Sequence, residues 1–188
     1  RETLGENPRS YVDLAISNTL RSHIIVATSF QGNSMEALEA SAFAEWVRTS
    51  FVGYPALLTL HSVGMAIMVG LVFVVSLRLV GKFERIPLSS LEKMLGLAWI
   101  GFAVNLISGL GLFTSQATFY VSSGPFLLKF AAVLTGAGLA AYIRPILKRE
   151  AAGWAQGGAI PGGVRNLAMA SLALWSVAIV TGRFTAYL

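Results

Sequence analysis

Long runs without charged side chains are the feature that most limits what this chain can fold into. Residues 54–77 contain no Asp, Glu, Lys or Arg, and a helix of that length rises about 36 Å. That rise exceeds the roughly 30 Å hydrocarbon core of a bilayer. Three further apolar runs follow, whose few charged residues lie near their ends. The sequence therefore predicts four spanning helices, at about 54–80, 91–113, 125–147 and 164–187.

The composition agrees with a lipid environment. The chain is 55% hydrophobic and only 12% charged, against about 25% charged residues in ordinary soluble domains. We predict an all-α integral membrane protein, in which residues 51–188 form a four-transmembrane-helix bundle. Residues 1–50 are different, with four Lys or Arg and six Asp or Glu, and form an N-terminal extension.

The extension has the pattern of amphipathic helices that lie in the membrane interface. Its first apolar face recurs at helical spacing and comprises Val12, Ile16, Leu20, Ile24 and Ala27. The run Gln31-Gly32-Asn33 breaks this pattern. A second helix is predicted from near Ser34 to about Arg48, with Leu38, Ala42 and Trp46 facing inward.

The basic residues predict an orientation. Two of the three loops between the predicted spans are rich in Lys and Arg, and the loop at 114–124 has none. By the positive-inside rule, the basic loops are cytoplasmic, and both termini are outside, which is the periplasmic side in a bacterial inner membrane. The cations of the basic loops and their flanks are Arg78, Lys82, Arg85, Lys93, Arg144, Lys148, Arg149 and Arg165. Because these cations sit at helix ends, they favour lipid headgroups as partners and exclude nucleic acid.

Missing residue types exclude several kinds of chemistry. The chain has no cysteine, which excludes disulfides, thiolate metal sites and iron–sulfur clusters. Asp and Glu are absent from the interiors of the predicted spans. Hydrolytic catalysis and cation-coupled transport are therefore not expected, and the chain is expected to be a subunit rather than a stand-alone enzyme.

Several local patterns resemble an uncharacterised family of small bacterial four-helix inner-membrane proteins. The resemblance covers the chain from about Met35 to Leu188. It rests on FAEWVRTSFVGYPALLTLHSVG at 43–64, SLRLVG at 76–81, WIGF at 99–102, SGLGLF at 108–113, PFLLK at 125–129 and SLALWSVAIVTGR at 171–183. It implies the bacterial inner membrane and a recurrent histidine, matched here by His61, but no established activity.

Polar residues of all four predicted spans fall in the half of the membrane nearer the termini. They are His61, Asn105, Ser108, Lys129 and Arg183. Ionisable groups inside a membrane are costly, so they mark functional sites by default. His61 is the strongest candidate, because Lys129 and Arg183 are long enough to reach the headgroups.

Three interpretations of His61 as a binding residue remain open. In one, it ligates the iron of a haem b while Lys129 and Arg183 neutralise the propionates, and His23 closes over the site. In another, it is the proton partner of a quinone whose carbonyl is polarised by Lys129 or Arg183. In the third, His61, Met65 and Met68 hold copper, since they lie at i, i+4 and i+7 on one helical face.

The simplest interpretation is structural: His61 hydrogen-bonds Asn105 or Ser108 and fixes the register of two helices. The functional hypothesis is a small membrane subunit of a larger complex, holding haem b or quinone near the periplasmic side for electron transfer. The alternative is a cofactor-free structural or assembly subunit. The expected partners are the bilayer and other membrane subunits or further copies of this chain.

Overall fold

The computed structural model describes residues 17, 19–21, 23 and 33–185. Residues 33–39 are helical, and six further helices follow. They are α1 (Ala42–Thr49), α2 (Gly53–Val80), α3 (Leu91–Thr114), α4 (Ala117–Ser122), α5 (Gly124–Ala155) and α6 (Gly162–Thr185). A 3-10 turn, Leu88–Ser90, leads into α3. Most of the first predicted amphipathic helix, and Tyr187, lie outside the described residues.

Four of these helices are long and apolar enough to cross a membrane. The mean hydropathy of their most apolar windows is 2.4 in α2, 1.8 in the second span, 1.8 in α5 and 1.6 in α6. The second span comprises α3 together with the 3-10 turn before it. The predicted fold class is therefore confirmed: the chain is an all-α, multi-pass membrane protein built as a four-helix bundle.

The two ends of the bundle differ. We call the end with α1, α4 and residues 50–52 the extension end, and the end with the connections at 81–90 and 156–161 the basic end. Most of the apolar core lies toward the basic end, and its largest fully buried side chains are Met68, Leu79, Leu91, Leu95 and Leu147. Large apolar side chains thus fill that half, and His61, Asn105 and Lys129 lie in the other.

Glycines bring α2 and α3 into backbone contact. A Cβ on Gly64 would lie 2.6 Å from the Asn105 nitrogen and 2.7 Å from the Gly101 carbonyl oxygen. A Cβ on Gly101 would lie 2.7 Å from Cγ2 of Ile67. Lipid supplies no hydrophobic drive for helix association, so close approach through small residues provides the packing energy.

The helix α5 is longer than predicted. It continues past Leu147 to Ala155, because Leu147, Ala151 and Trp154 recur on one buried face while the intervening charges point outward. The predicted spans leave residues 148–163 between them, and the structure shortens this connection to residues 156–161. Gly157, at φ 104°, occupies the left-handed conformation after the helix, and α6 begins at Gly162.

The extension also differs from its prediction. The helix expected from Ser34 to Arg48 is interrupted at Ser41, whose extended backbone (ψ 147°) and side-chain oxygen, 3.2 Å from the Ala44 nitrogen, cap a new helix α1. Helix α1 buries Ala44 and Val47, and Trp46 is 48% exposed. Ala42 is exposed as well, so the inward face was assigned incorrectly.

Candidate functional site

His61 and Asn105 join α2 to α3 through two hydrogen bonds. The Nδ1 atom of His61 lies 2.9 Å from the backbone oxygen of Asn105, and Nδ2 of Asn105 donates to the backbone oxygen of His61 at 2.7 Å. Each side chain therefore uses the main chain of the other residue. Gly109 makes this possible, because a Cβ there would lie 2.9 Å from Cε1 of His61.

This arrangement fixes the tautomer of His61. A carbonyl oxygen only accepts hydrogen bonds, so Nδ1 carries the proton and Nε2 presents a lone pair. No described residue hydrogen-bonds Nε2. The imidazole therefore combines a structural role at Nδ1 with an available acceptor at Nε2.

A small cavity lies between the four spanning helices in the half of the bundle nearer the extension end. Its volume is about 20 Å³, enough for one water molecule. Every spanning helix supplies a residue able to form hydrogen bonds to its wall: His61, Asn105, Lys129 and Trp175. Helical rise places these four residues at similar depth, about 8 to 15 Å from the extension-end termini of their helices.

Lys129 is a half-buried cation in this wall. Its side chain extends along Gly182 of α6, where a Cβ would lie 3.4 Å from Cδ and 3.8 Å from Nζ. Within the described ranges it forms no hydrogen bond or ion pair. An ammonium group at this depth is costly unless something accepts its hydrogen bonds, so the cavity is suited to a ligand with an acceptor oxygen.

Trp175 is the wall residue that sequence reasoning missed. Its indole is buried, and Nε1 has no hydrogen-bond partner in the described part of the protein. It packs on Gly136, where a Cβ would lie 2.9 Å from Nε1. The signal was present in the sequence, since Trp175 falls on the same α6 face as Ser171, Ala178 and Gly182.

Met65 and Met68 also line the cavity, beside His61. Their shared face was predicted from the spacing, and thioether with imidazole is a donor set for Cu(I). Lys129 in the same wall opposes the binding of any cation. Among the described residues, no group of three or more His, Cys, Asp or Glu could hold a metal ion.

Two predicted site residues lie outside the cavity wall. The Ser108 hydroxyl donates within its own helix, to the Val104 oxygen at 2.6 Å and the Asn105 oxygen at 3.1 Å. Arg183 is exposed near the end of α6. His23 is also exposed. The structure therefore brings together His61, Asn105 and Lys129 from the predicted set.

A haem does not fit this cavity. Its iron is at the centre of the macrocycle, so ligation by Nε2 would require most of the ring system to enter a space that holds one water. The carbonyl oxygen of a quinone is at the edge of its ring, and only that edge has to reach the polar wall. Ile179, 40% exposed, belongs to the wall, so the rim extends to the lipid-facing surface.

Aromatic side chains fill the space beyond the cavity at the extension end. The ring of Phe126 lies 5.8 Å from that of Phe113 and 5.0 Å from that of Tyr120. These rings connect α3, α4 and α5, one turn from Lys129. They form an aromatic layer between the cavity and the extension.

Comparison of the chain with protein-family models, with curated proteins and with solved structures finds no match. The family resemblance therefore stays a prediction. The fold and the cavity define a multi-pass membrane protein with a small, mostly apolar cavity between four spanning helices, each of which adds one hydrogen-bonding side chain to its wall.

Proposed function

We propose that this protein is a small membrane subunit that binds the headgroup of a quinone at the cavity and takes part in electron transfer. The observation that carries the proposal is the convergence of an unpaired Lys129 cation and a free acceptor on His61 in one enclosed wall. A bundle held together by packing alone gains nothing from such groups, which only cost stability when they lack partners.

The residues divide the work of binding. Lys129 would donate a hydrogen bond to a headgroup oxygen, which is a carbonyl oxygen in the quinone, and Nε2 of His61 would accept a hydrogen bond from a hydroxyl of the reduced, quinol form. The Asn105 backbone oxygen holds the proton on Nδ1 and keeps Nε2 in its acceptor form. When bound, the quinol–quinone couple would supply two-electron, two-proton chemistry: oxidation of the quinol would release two protons, and its two electrons would go to a redox group of another subunit.

We also propose how the protein is oriented in its membrane and which part of it contacts other subunits. The basic loops favour an orientation with both termini outside the cytoplasm; in the bacterial inner membrane that the family resemblance implies, this puts the cavity in the periplasmic half. Residues 33–50 then lie at the periplasmic interface, where they are available to other subunits or to another copy of the chain.

A cofactor-free structural subunit is the second candidate, and the two hydrogen bonds between His61 and Asn105 favour it. In that case the histidine only fixes helix register, and the cavity holds water.

Purification in a mild detergent separates the candidates. Solvent extraction with quinone quantification, metal analysis and a reduced-minus-oxidised spectrum would be run on the same sample. We expect near-stoichiometric quinone and no haem band. Wild-type protein that retains no quinone, and binds no added decylubiquinone in lipid nanodiscs, would overturn the proposal. Copper in stoichiometric amount would instead support the interpretation that His61, Met65 and Met68 bind a metal ion, and the quinone proposal would be wrong.

Two substitutions test the roles of the wall residues. His61→Ala and Lys129→Met should each weaken decylubiquinone binding. Lys148→Met is the matched control, because it removes an exposed lysine of the same helix at the basic end. Equal affinity in all three variants and the wild type would exclude this cavity as the site.

A further inference from the structure

The indole nitrogen of Trp175 is buried without a hydrogen-bond acceptor, and packing alone does not explain this. The residue is only 3% exposed, and its Nε1 hydrogen has no acceptor among the described residues. Buried N–H groups in folded proteins almost always have a partner, so an exception indicates a missing ligand or water or a second conformation.

The size of the cavity indicates which explanation applies. A space of about 20 Å³ admits one water, so a quinone ring edge enters only if a wall side chain moves. His61 and Asn105 are held by hydrogen bonds. Lys129 and Trp175 are the hydrogen-bonding wall residues without a bond to lose, and of the two it is the Trp175 indole whose N–H is fully buried without an acceptor among the described residues.

We propose that Trp175 is the movable wall and the specificity-determining donor of this site: its indole shifts when the ligand enters and donates Nε1–H to the ligand's carbonyl oxygen. The inference rests on the proposed quinone site and adds a residue to it. Lys129 and Trp175 then supply two donors, which selects headgroups with an exposed acceptor oxygen over purely apolar molecules of the same shape.

Gly136 sets the closed position of the indole. A Cβ at this glycine would lie 2.9 Å from Nε1 and 3.0 Å from Cε2, so Gly136→Ala displaces the ring without removing its donor. Gly138 is the matched control, because a Cβ there meets nothing within 4 Å. Gly136→Ala should therefore speed decylubiquinone association, and Gly138→Ala should leave its rate unchanged.

The direct test observes the indole in nanodiscs. The chain has four tryptophans, and their ¹⁵N-indole resonances can be assigned by single Trp→Phe variants. Adding decylubiquinone should shift the Trp175 N–H resonance downfield, as expected for a new hydrogen bond, while that of Trp154, in the core near the basic end, stays in place. Trp175→Phe should weaken binding roughly 3- to 10-fold, the range for one neutral hydrogen bond.

The outcomes separate this inference from the function on which it rests. Wild-type protein that binds no quinone overturns the proposed function and this inference with it. Quinone binding that requires His61 but leaves the Trp175 resonance unmoved overturns the inference alone. The Trp175 resonance is measured in the wild-type protein, so this outcome does not depend on whether Trp175→Phe folds. Ser171→Ala is the matched control for the substitution, because it removes another buried, unpartnered group of α6 outside the cavity wall.

Discussion

The carboxylate of Glu39 accepts two hydrogen bonds from Thr118, one from the backbone N–H and one from the hydroxyl, each 2.7 Å long. Thr118 lies in the first turn of α4, where backbone N–H groups have no partner within the helix. Arg48 completes the contact, donating to the backbone oxygens of Glu39 at 2.9 Å and Ser115 at 3.2 Å. The extension therefore fixes α4, which carries Tyr120 of the aromatic layer.

Removing the Glu39 charge should loosen this contact. Glu39→Gln replaces a carboxylate acceptor by a weaker amide oxygen, so the Thr118 amide should exchange with solvent faster at neutral pH in nanodiscs. Hydrogen exchange followed by NMR measures this. Glu36→Gln removes an exposed charge from the same helical segment and should leave the Thr118 exchange rate unchanged. Equal Thr118 exchange rates in the two variants would show that the Glu39 charge does not stabilise the contact with Thr118.

The same contact should depend on pH. The two hydrogen bonds from Thr118 lower the pKa of Glu39 below its ordinary value of 4.5. A lowered pKa in the folded state means that the stabilisation is complete above about pH 4.5 and is lost as the pH falls through the folded value. The Thr118 amide shift should titrate below pH 4.5 and should not titrate in Glu39→Gln. A midpoint above 4.5 would contradict the geometry.

The crossing of α2 and α3 should not tolerate added atoms. Gly64→Ala places a Cβ 2.6 Å from a backbone nitrogen, and the two helices have to separate by a fraction of an ångström. The expected cost is about 1 to 3 kcal/mol, as for other overpacked interiors. Gly70→Ala is the matched control on the same helix, because a Cβ there meets nothing within 4 Å. Denaturation in mixed micelles measures the free energy of unfolding of both variants. A Gly64→Ala variant as stable as the wild type would argue against the close crossing of α2 and α3.

His61 and Asn105 should contribute separately to stability. Each side chain bonds to the main chain of the other residue, so His61→Ala and Asn105→Ala remove different hydrogen bonds. Each should cost about 0.6 to 1.7 kcal/mol, as for other intramembrane bonds. The double variant should cost the sum of the two. A coupling energy equal to one whole bond would instead indicate a direct bond between the side chains.

Orientation is tested by labelling single cysteines, for which the cysteine-free chain is a suitable background. Ser122 and Gly157 are both exposed, at opposite ends of the bundle. If the basic loops are cytoplasmic, Ser122→Cys should react with an impermeant thiol reagent on intact cells, and Gly157→Cys should react only after lysis. The reverse pattern would place the cavity in the cytoplasmic half.

The sequence predicted the four spans and the shared depth of His61, Asn105 and Lys129, because both follow from helical rise and charge. It did not predict that Ser108 bonds within its own helix. Whether the Ser108 hydroxyl bonds within its own helix or to a neighbouring helix depends on the rotamer of this one side chain. Trp175 was missed because a tryptophan in an apolar helix is normally interpreted as a packing residue. Only the structure shows that its indole nitrogen has no hydrogen-bond partner among the described residues. The continuation of α5 was missed because the charges after Leu147 suggested a helix end, although they lie on the outer face.

Helix α5 is 32 residues long, about 48 Å, so it outreaches the roughly 30 Å hydrocarbon core. Its last turns, with Lys148 and Arg149, extend into the aqueous phase as a continuation of the bundle. A compact domain inserted at the exposed Gly157 would therefore stand clear of the headgroups on a short, stiff support. Such an insertion gives this 20.0 kDa chain a recognisable fiducial for particle alignment in electron cryo-microscopy, where a bundle hidden in its micelle offers none.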